Sequence, residues 1–393
     1  MRGVSAAGLG VAEGAAVGAG ALEGQELEGP ELERFRRAYG DQSPRPILEV
    51  VVEASLRKLV VLGDPGSGNS LLLQALVLGW AECAAPDAQQ SLPVSIELRE
   101  YARWLEQGQV TGFVEFLARA EGLGAHFERE ALQKWLRHRP SRVLFDGLDE
   151  VFDAEQRQRV CSAIQRFADD HPAAQVVVSS RVIGFLRQSW GHAGFRPFML
   201  QERDDEQIAT FLRRWHQAAY EDGGKGERKR AQLCEALARC RPIEQLAHNP
   251  LLLTLMAILN RTQELPRDRS ELYHRCARLL LDQWKTDEAF ARDPVLAKAL
   301  LDYKDKRDLL MAVAWRLQAS TKGLAGNLME EEDLEHFLSE GLRGIAELRP
   351  ERSARALIEQ LRGSNFMLCA VGSGNYGFVH RTFLEYFCDP SHR

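Results

Sequence analysis

Short apolar runs separated by helical patterns fill the first half of the chain. Five runs rich in Val, Ile, Leu and Phe have the length of strands: Lys58–Leu62, Leu92–Leu98, Arg142–Asp146, Val176–Ser180 and Pro197–Leu200. Nearly continuous apolar runs are typical of strands that are buried on both faces, and their alternation with helices favours a parallel sheet with right-handed crossovers. The pattern predicts an α/β domain.

After Asp204 the apolar positions follow a helical period instead. Asn249 and Pro250 have the residue types of an N-cap and a first helical position, and they open the apolar stretch Leu251–Leu259. Further stretches with helical spacing are Glu271–Trp284, Arg307–Leu317, Glu331–Phe337 and Ala354–Leu361. The pattern predicts that this half of the chain is mostly helical.

The end of the chain returns briefly to strand patterns. Phe366–Val371 and Tyr376–Val379 flank the turn residues 372–375 and predict a β-hairpin, after which a last helix begins at Arg381. Helices closed by a two-stranded wing predict a winged-helix module. Residues 1–30 hold eight glycines and seven alanines, which bury too little apolar surface to offset the entropy of ordering. This leader is therefore predicted to be disordered.

Composition and charge narrow the class of protein. Lys and Arg number 50 against 56 Asp and Glu, for a net charge of -6, so the chain lacks the overall basic field that drives binding to nucleic acids, and no clear nucleic-acid patch is expected. The seven cysteines form no CxxC pair, which favours reduced thiols in the cytoplasm. No apolar run approaches the ~18 residues of a membrane span.

A glycine-rich segment follows the first predicted strand and precedes an apolar helix. It reads Gly63, Asp64, Pro65, Gly66, Ser67, Gly68, Asn69 and Ser70. Glycines let successive backbone N–H groups turn toward one anion, and the helix N-terminus adds its dipole. The segment predicts a phosphate-binding loop (P-loop), except that Asn69 stands where such loops carry the Lys that reaches the β- and γ-phosphates. An ordinary glycine-rich turn is the alternative.

The third apolar run ends in carboxylates. We expect Asp146 to hold Mg²⁺ through water together with Ser70, and Asp149 or Glu150 to orient the attacking water. Surface acids in a loop are the alternative. The fourth run ends at Ser180 and is followed by Arg181. Because the next strand of such a sheet would bring these groups beside the phosphates, Arg181 is predicted to act in catalysis.

Together these segments resemble the NACHT NTPases of the STAND class of signalling ATPases, in their bacterial NLR-like form. The resemblance runs from about Pro46 to Phe387. It rests on GDPGSGNS at 63–70, LPVSIELREYAR at 92–103, LFDGLDE at 144–150, VVVSSR at 176–181, HNPLLLTLMA at 248–257 and YGFVHRTFLEYF at 376–387. The resemblance implies an ATP- or ADP-binding switch that uses Mg²⁺ and self-associates on activation.

The resemblance also implies roles for two residues outside the first domain. Pro250 would touch the adenine, and His380 would touch the β-phosphate of ADP. From the residues alone, Pro250 is the first residue of a helix and His380 a core histidine. Members of this class usually carry an effector domain before the NTPase and a repeat sensor after it. We therefore expect that this chain is either a core that stands alone or a fragment. We also expect an effector or sensor partner of unknown identity.

The expected architecture is a P-loop NTPase parallel sheet flanked by helices, followed by an all-α domain and a winged-helix domain. The predicted segments are a leader and lead-in segment at 1–46, a NACHT NTPase domain at 47–203, a helical domain at 204–305 and a winged-helix domain at 306–393. The predicted function is a signalling switch in which nucleotide exchange controls opening and oligomerisation, with hydrolysis weak or absent because of Asn69. A degenerate pseudo-ATPase scaffold is the main alternative, and a ring-forming motor ATPase of the AAA type is a second one.

Overall fold

The structure is a computed structural model that describes most of the chain. The described residues are 10–13, 39, 43–53, 55–64, 66–82, 91–119, 128–151, 153–182, 193–283, 303–319, 329–343, 350–363, 367–370, 375–378 and 381–389. By its internal contacts the chain divides into two compact units. The first comprises Met1–Leu27 and Glu31–Arg203, and the second comprises Glu28–Pro30 and Asp204–Arg393.

A seven-stranded sheet forms the centre of the first unit. Its strands are β1 (Gly10–Glu13), β2 (Arg45–Pro46), β3 (Lys58–Leu62), β4 (Leu92–Glu97), β5 (Ser141–Asp146), β6 (Ala174–Ser180) and β7 (Arg196–Leu200). The strand order is β2-β1-β7-β3-β6-β5-β4, and the last five of these strands are parallel to one another. The predicted parallel sheet is confirmed, and each of the five apolar runs forms one of its parallel strands.

Apolar side chains cover the sheet on both faces. The helices that follow and separate the strands are α1 (Ile47–Val52), α2 (Asn69–Ala81), α3 (Leu98–Glu106), α4 (Phe113–Arg119), α5 (Arg129–His138) and α6 (Ala154–Asp170). Val60 and Leu62 belong to one core cluster and Leu59 and Val61 to the other, because successive residues of a strand point to opposite faces. Burial on both faces explains why β3 is a continuous apolar run.

The order of the strands brings their carboxyl ends together at one edge of the sheet. In the parallel register, Leu62 of β3 lies opposite Ser180 of β6, and Glu97 of β4 lies opposite Asp146 of β5. β6 lies between β3 and β5. The segments that follow β3, β5 and β6 therefore meet at this edge, which is where open α/β sheets bind ligands.

Part of the predicted leader has regular structure. Gly10–Glu13, within the segment expected to be disordered, pairs antiparallel with β7 and with the short strand Arg45–Pro46. The prediction is therefore wrong for these four residues. Main-chain hydrogen bonds of a strand do not depend on side-chain size, so a Gly- and Ala-rich segment can cover the open edge of a sheet without contributing much apolar surface.

The second unit is mainly helical. Its helices are α7 (Asp205–Ala219), α8 (Gly223–Arg239), α9 (Arg241–Ala247), α10 (Pro250–Thr262), α11 (Arg269–Gln283), α12 (Tyr303–Gln318), α13 (Glu331–Leu342), α14 (Pro350–Gly363) and α15 (Arg381–Cys388). Local chemistry fixes several of their starts. Asp204 and Gln207 form a reciprocal capping box at α7, and the side chain of Asn249 accepts hydrogen bonds from the first amides of α10.

A small antiparallel sheet lies near the end of the second unit. β9 (Leu368–Ala370) and β10 (Asn375–Phe378) form the predicted hairpin, and β8 (Met329–Glu330) adds a third strand on the other side of β10. A two-residue strand leaves no periodic pattern, so the sequence did not indicate β8. Over the described ranges, no helix combines the length and apolar character needed to cross a membrane.

Candidate functional site

The glycine-rich loop joins the end of β3 to the start of α2. Gly66 and Gly68 have φ angles of 80° and 103°, a region that residues with a side chain rarely adopt. Ser67 N donates to Asp64 O at 3.0 Å, and Gly68 stands as the N-cap of α2. Positive φ angles next to the N-terminus of α2 are the backbone features that a phosphate-binding loop requires. Pro65 lies outside the described residues.

Two side chains of the loop fold over Gly63. A Cβ atom at Gly63 would lie 2.2 Å from Ser67 Oγ and 2.4 Å from Asn69 Oδ1, so a larger residue there would force these two side chains to move. Within the described part of the chain, neither of these buried oxygens has a hydrogen-bond partner. A hydroxyl without a partner beside the N-terminus of a helix fits a phosphate, to which it can donate. Asn69 brings no positive charge to this cradle.

Asn69 is bound to the neighbouring strand. Its Nδ2 donates to Ser180 O at 3.1 Å, and the backbone N–H of Gly63 donates to the same carbonyl at 3.2 Å. The side chain at the lysine position therefore ties the loop to the end of β6. Ser70, the next residue, is exposed at the start of α2.

The two residues predicted to bind a metal lie together. Ser70 Oγ donates to Asp146 Oδ1 at 3.3 Å, although the residues are 76 positions apart in the sequence. Ser179 Oγ donates to the same carboxylate oxygen and accepts a hydrogen bond from Gly147 N at 2.9 Å. Burial raises the pKa of Asp146, and the hydrogen bonds from Ser179 and Ser70 oppose that rise. Two hydroxyl groups thus bind one oxygen of this carboxylate and fix its orientation.

The donor set of a hydroxyl oxygen and a carboxylate oxygen suits magnesium. The residues that the structure describes contain no group of three or more His, Cys, Asp or Glu side chains that could hold an ion. Mg²⁺ is usually bound through one or two protein oxygens together with phosphate oxygens and water. The Ser70 hydroxyl and the Asp146 carboxylate fit this pattern.

The other two acids differ in their surroundings. Both carboxylate oxygens of Asp149 bind Arg181: its backbone N–H donates to Oδ1 at 3.0 Å, and its Nε lies 3.0 Å from Oδ2. The side chains are 7% and 11% exposed, respectively. Glu150 follows in a short 3₁₀ turn, Leu148–Glu150, and packs over Gly147, whose φ of 75° favours a glycine. Both oxygens of Asp149 are therefore engaged by Arg181.

Burial raises the pKa of Glu150 to about 7, and the negative charges of Asp149 and Asp146 add to this rise. The positive charges of Arg181 and Arg99 act in the opposite direction. A carboxyl group with a pKa near 7 can exchange a proton with water at neutral pH. Glu150 is consequently the acid of this cluster that is best suited to act on a water molecule.

The structure brings most of the predicted site residues together at the sheet edge: the loop residues that it describes, Ser70, Asp146, Asp149, Glu150 and Arg181. Pro250 is in the second unit, where it is the buried first residue of α10. His380 lies outside the described residues. Their predicted nucleotide contacts stay predictions.

Sequence reasoning missed two residues of this cluster. Ser179 lies in an apolar strand with no local signal of function, although its hydroxyl contacts Asp146. Arg99 lies two positions after Glu97, which pairs with Asp146 across the sheet. A charged residue just beyond the carboxyl end of a buried strand was the signal that could have identified it.

Two family models match the chain. A NACHT domain matches residues 57–219, and the winged helix-turn-helix domain that lies C-terminal to NACHT matches residues 269–390. The first match includes the loop, the acid cluster and Arg181. The second includes the small antiparallel sheet and the helices around it. No curated protein sequence matches the chain.

Several solved structures are similar to the chain at low identity. Orc1 of Aeropyrum pernix, determined in complex with DNA, is 14% identical over 92% of each chain, with a TM-score of 0.39. Domain III of the replication initiation protein DnaA from Thermotoga maritima is 14% identical over 56% of this chain and 84% of that one, with a TM-score of 0.31. Cdc6p of Pyrobaculum aerophilum is 12% identical over 86% and 90%, with a TM-score of 0.32. At these scores the similarity carries no conclusion about function.

Proposed function

We propose that this chain, which is a NACHT NTPase, is a signalling switch that binds ADP or ATP in the loop at 63–70. In this proposal nucleotide exchange controls opening and oligomerisation in the cytoplasm, and hydrolysis is weak or absent. The observation that carries the proposal is the contact of Ser70 with Asp146 at 3.3 Å beside the loop. Two oxygens suited to Mg²⁺ thus lie next to an anion cradle.

Each group of the site has a distinct role in this proposal. The loop amides and the Ser67 hydroxyl bind the phosphates, and the N-terminus of α2 stabilises their charge. Ser70 and Asp146 hold the metal ion, which, when bound, neutralises the charge on the phosphate oxygens. Ser179 fixes the orientation of Asp146. Binding therefore draws on groups that are already arranged.

Asn69 is the reason to expect weak hydrolysis. Phosphoryl transfer depends on positioning and on charge stabilisation of the γ-phosphate, and the amide of Asn69 supplies no charge and is bound to Ser180 O. Glu150 can orient a water molecule, but orientation has little effect when the γ-phosphate is poorly held. A switch does not require rapid turnover, whereas a motor does.

Nucleotide-dependent stabilisation distinguishes the switch from the pseudo-ATPase scaffold. A ligand of the folded state raises the free energy of unfolding by RT ln(1 + [L]/Kd), and a scaffold gains nothing from it. We expect ADP with Mg²⁺ to raise the melting temperature in a concentration-dependent manner. An unchanged melting temperature at millimolar ADP would favour the scaffold. Size-exclusion chromatography with light scattering then tests whether ATP, but not ADP, promotes self-association.

Asn69→Lys should strengthen nucleotide binding. A hydrogen bond to a charged group contributes about 1.5–3 kcal/mol, so the added ammonium should raise the affinity for ADP and ATP by roughly 10- to 100-fold and restore measurable hydrolysis. Isothermal titration calorimetry and phosphate release measure the two effects. If the variant bound and hydrolysed no better than the parent chain, the loop would not be the nucleotide site.

Asp146→Asn should weaken only the magnesium-dependent part of binding. The amide keeps the shape of the side chain but loses the charge that holds the cation. We expect the ADP affinity in magnesium to fall to the value that the parent chain shows with a chelator, and the affinity in the chelator to change little. An equal loss of affinity in both buffers would show that Asp146 has a structural role.

A further inference from the structure

One peptide group joins the phosphate loop to the acid cluster. The carbonyl of Ser180 accepts hydrogen bonds from Asn69 Nδ2 at 3.1 Å and from Gly63 N at 3.2 Å. The N–H of the same peptide group, which belongs to Arg181, donates to Asp149 Oδ1 at 3.0 Å. A peptide group is planar and rigid, so fixing its carbonyl also fixes the direction of its N–H. Asn69 and Asp149 are therefore linked through a single rigid unit.

The surroundings make these hydrogen bonds stronger than exposed ones. Ser180 has no exposed surface, and Asp149 is buried. Asn69 and Arg181 are partly exposed, but the acceptors of these hydrogen bonds lie on buried residues, so competing water has limited access to them and leaving one unpaired is costly. Asp149 in turn binds Arg181 through its second oxygen. The chain of contacts thus continues from the loop to the guanidinium.

We propose that Asn69 is a positioning residue that holds the Ser180–Arg181 peptide, and through it Asp149 and Arg181, in place at the nucleotide site. This inference rests on the proposed function of that site. A lysine at this position has four methylene groups and can leave Ser180 to follow a phosphate. Asparagine has only one methylene group, so its amide keeps the bond to Ser180 whether or not a phosphate is bound. In this proposal Asn69 has a structural role of its own, in addition to the loss of the lysine charge.

Hydrogen exchange of the Arg181 amide tests this proposal in the full chain without nucleotide. Asn69→Ala removes the amide, and Asn69→Asp keeps its shape but replaces the donor with an oxygen. We expect the Arg181 amide to exchange about fivefold faster in both variants, which corresponds to the loss of one ordinary hydrogen bond. The amide of Val178 in the middle of β6 serves as an internal reference and should not change.

Asn260 provides a matched control. Its Nδ2 also donates to a main-chain carbonyl, that of Lys229 at 2.7 Å, but in the second unit. Asn260→Ala should leave the exchange of the Arg181 amide unchanged. Equal exchange in Asn69→Ala and the parent chain would overturn the proposal, as would equal acceleration at Arg181 and Val178, since that would show a general loss of stability.

The experiment separates this inference from the proposed function because it uses no nucleotide. If the chain bound no ADP in calorimetry, the proposed function would be wrong even if the exchange rates were as expected. Asn69 would then hold Asp149 and Arg181 in place, but not at a nucleotide site. If the chain bound ADP but Asn69→Ala left the exchange of Arg181 unchanged, only the positioning role would be wrong.

Discussion

At the scale of single residues, two neighbouring carboxylates differ in their chemistry because of their contacts. Asp149 is bound at both oxygens by Arg181, whereas Glu150 is buried near two other negative charges, which raises its pKa to about 7. The ion pair of Asp149 orients a backbone segment. Glu150 is left as the group that can exchange a proton near neutral pH.

The raised pKa of Glu150 predicts a pH-dependent cost to stability. In the folded protein this carboxyl keeps its proton up to pH of about 7, whereas in the unfolded chain it ionises near its ordinary value of 4.5. The folded state therefore binds more protons between these values, and the contribution of Glu150 to stability is lost as the pH rises through this window. Glu150→Gln should raise the free energy of unfolding at pH 8 by at most about 3 kcal/mol.

Urea denaturation at pH 5 and pH 8 measures this effect. The gain from Glu150→Gln should be much smaller at pH 5, where the parent side chain is already mostly protonated in the folded state. Glu155→Gln, at an exposed position near the start of α6, is the control and should change stability equally little at both pH values. A gain of the same size at both would contradict the assignment of the titration to Glu150.

At the scale of elements, two helical glycines should respond in opposite directions to alanine. Gly79 is exposed in α2, and an added Cβ would meet no atom within 4 Å. Gly226 is buried in α8, where an added Cβ would lie 3.2 Å from the carbonyl oxygen of His216. Backbone atoms of a packed helix cannot easily move away. The space around each glycine therefore decides whether alanine stabilises or destabilises the protein.

We expect Gly79→Ala to raise the free energy of unfolding by about 0.5–1 kcal/mol, since alanine restricts the unfolded chain and favours the helix. Gly226→Ala should lower the free energy of unfolding by about 1 kcal/mol, because the close contact of the added methyl group with His216 O in α7 outweighs the same gain. Urea denaturation of the two variants at one pH measures both changes. A stabilising Gly226→Ala would mean that α8 can shift without loss.

At the scale of the whole molecule, the chain has two compact units, so its thermal unfolding is expected to show more than one transition. The family resemblance implies that ADP also contacts His380, and this contact is a prediction that ligand-dependent unfolding can test. ADP with Mg²⁺ should then raise the melting temperature of both units. His380→Ala should confine most of the rise to the unit that contains the phosphate loop.

Differential scanning calorimetry with and without ADP measures this coupling. Circular dichroism can assign the two transitions, because the second unit is mainly helical whereas the first contains the seven-stranded sheet. A parent chain in which ADP shifts only the first transition would contradict the contact at His380. Loss of the second transition in His380→Ala without nucleotide would show that this histidine is a core residue.

The sequence by itself determined the type of those elements that carry a clear local pattern. The parallel strands were recognisable because both of their faces are buried, which leaves a continuous apolar run, and α10 was recognisable because Asn249 and Pro250 are local capping signals. The loop at 63–70 was recognisable because its glycines lie between a strand and a helix, where a phosphate-binding loop needs them. All of these signals act between residues that are close in sequence.

Only the tertiary structure decided how the site is connected. The order of β3, β6 and β5 places Ser70 against Asp146 and Asn69 against Ser180, and no local pattern encodes which distant hydroxyl or carbonyl a side chain meets. The same holds for β1, whose pairing with β7 depends on an open sheet edge and not on its own apolar residues. Local interactions thus determine which segments form helices and strands. Strand order and burial determine the hydrogen-bond partners, charges and pKa values of the site residues.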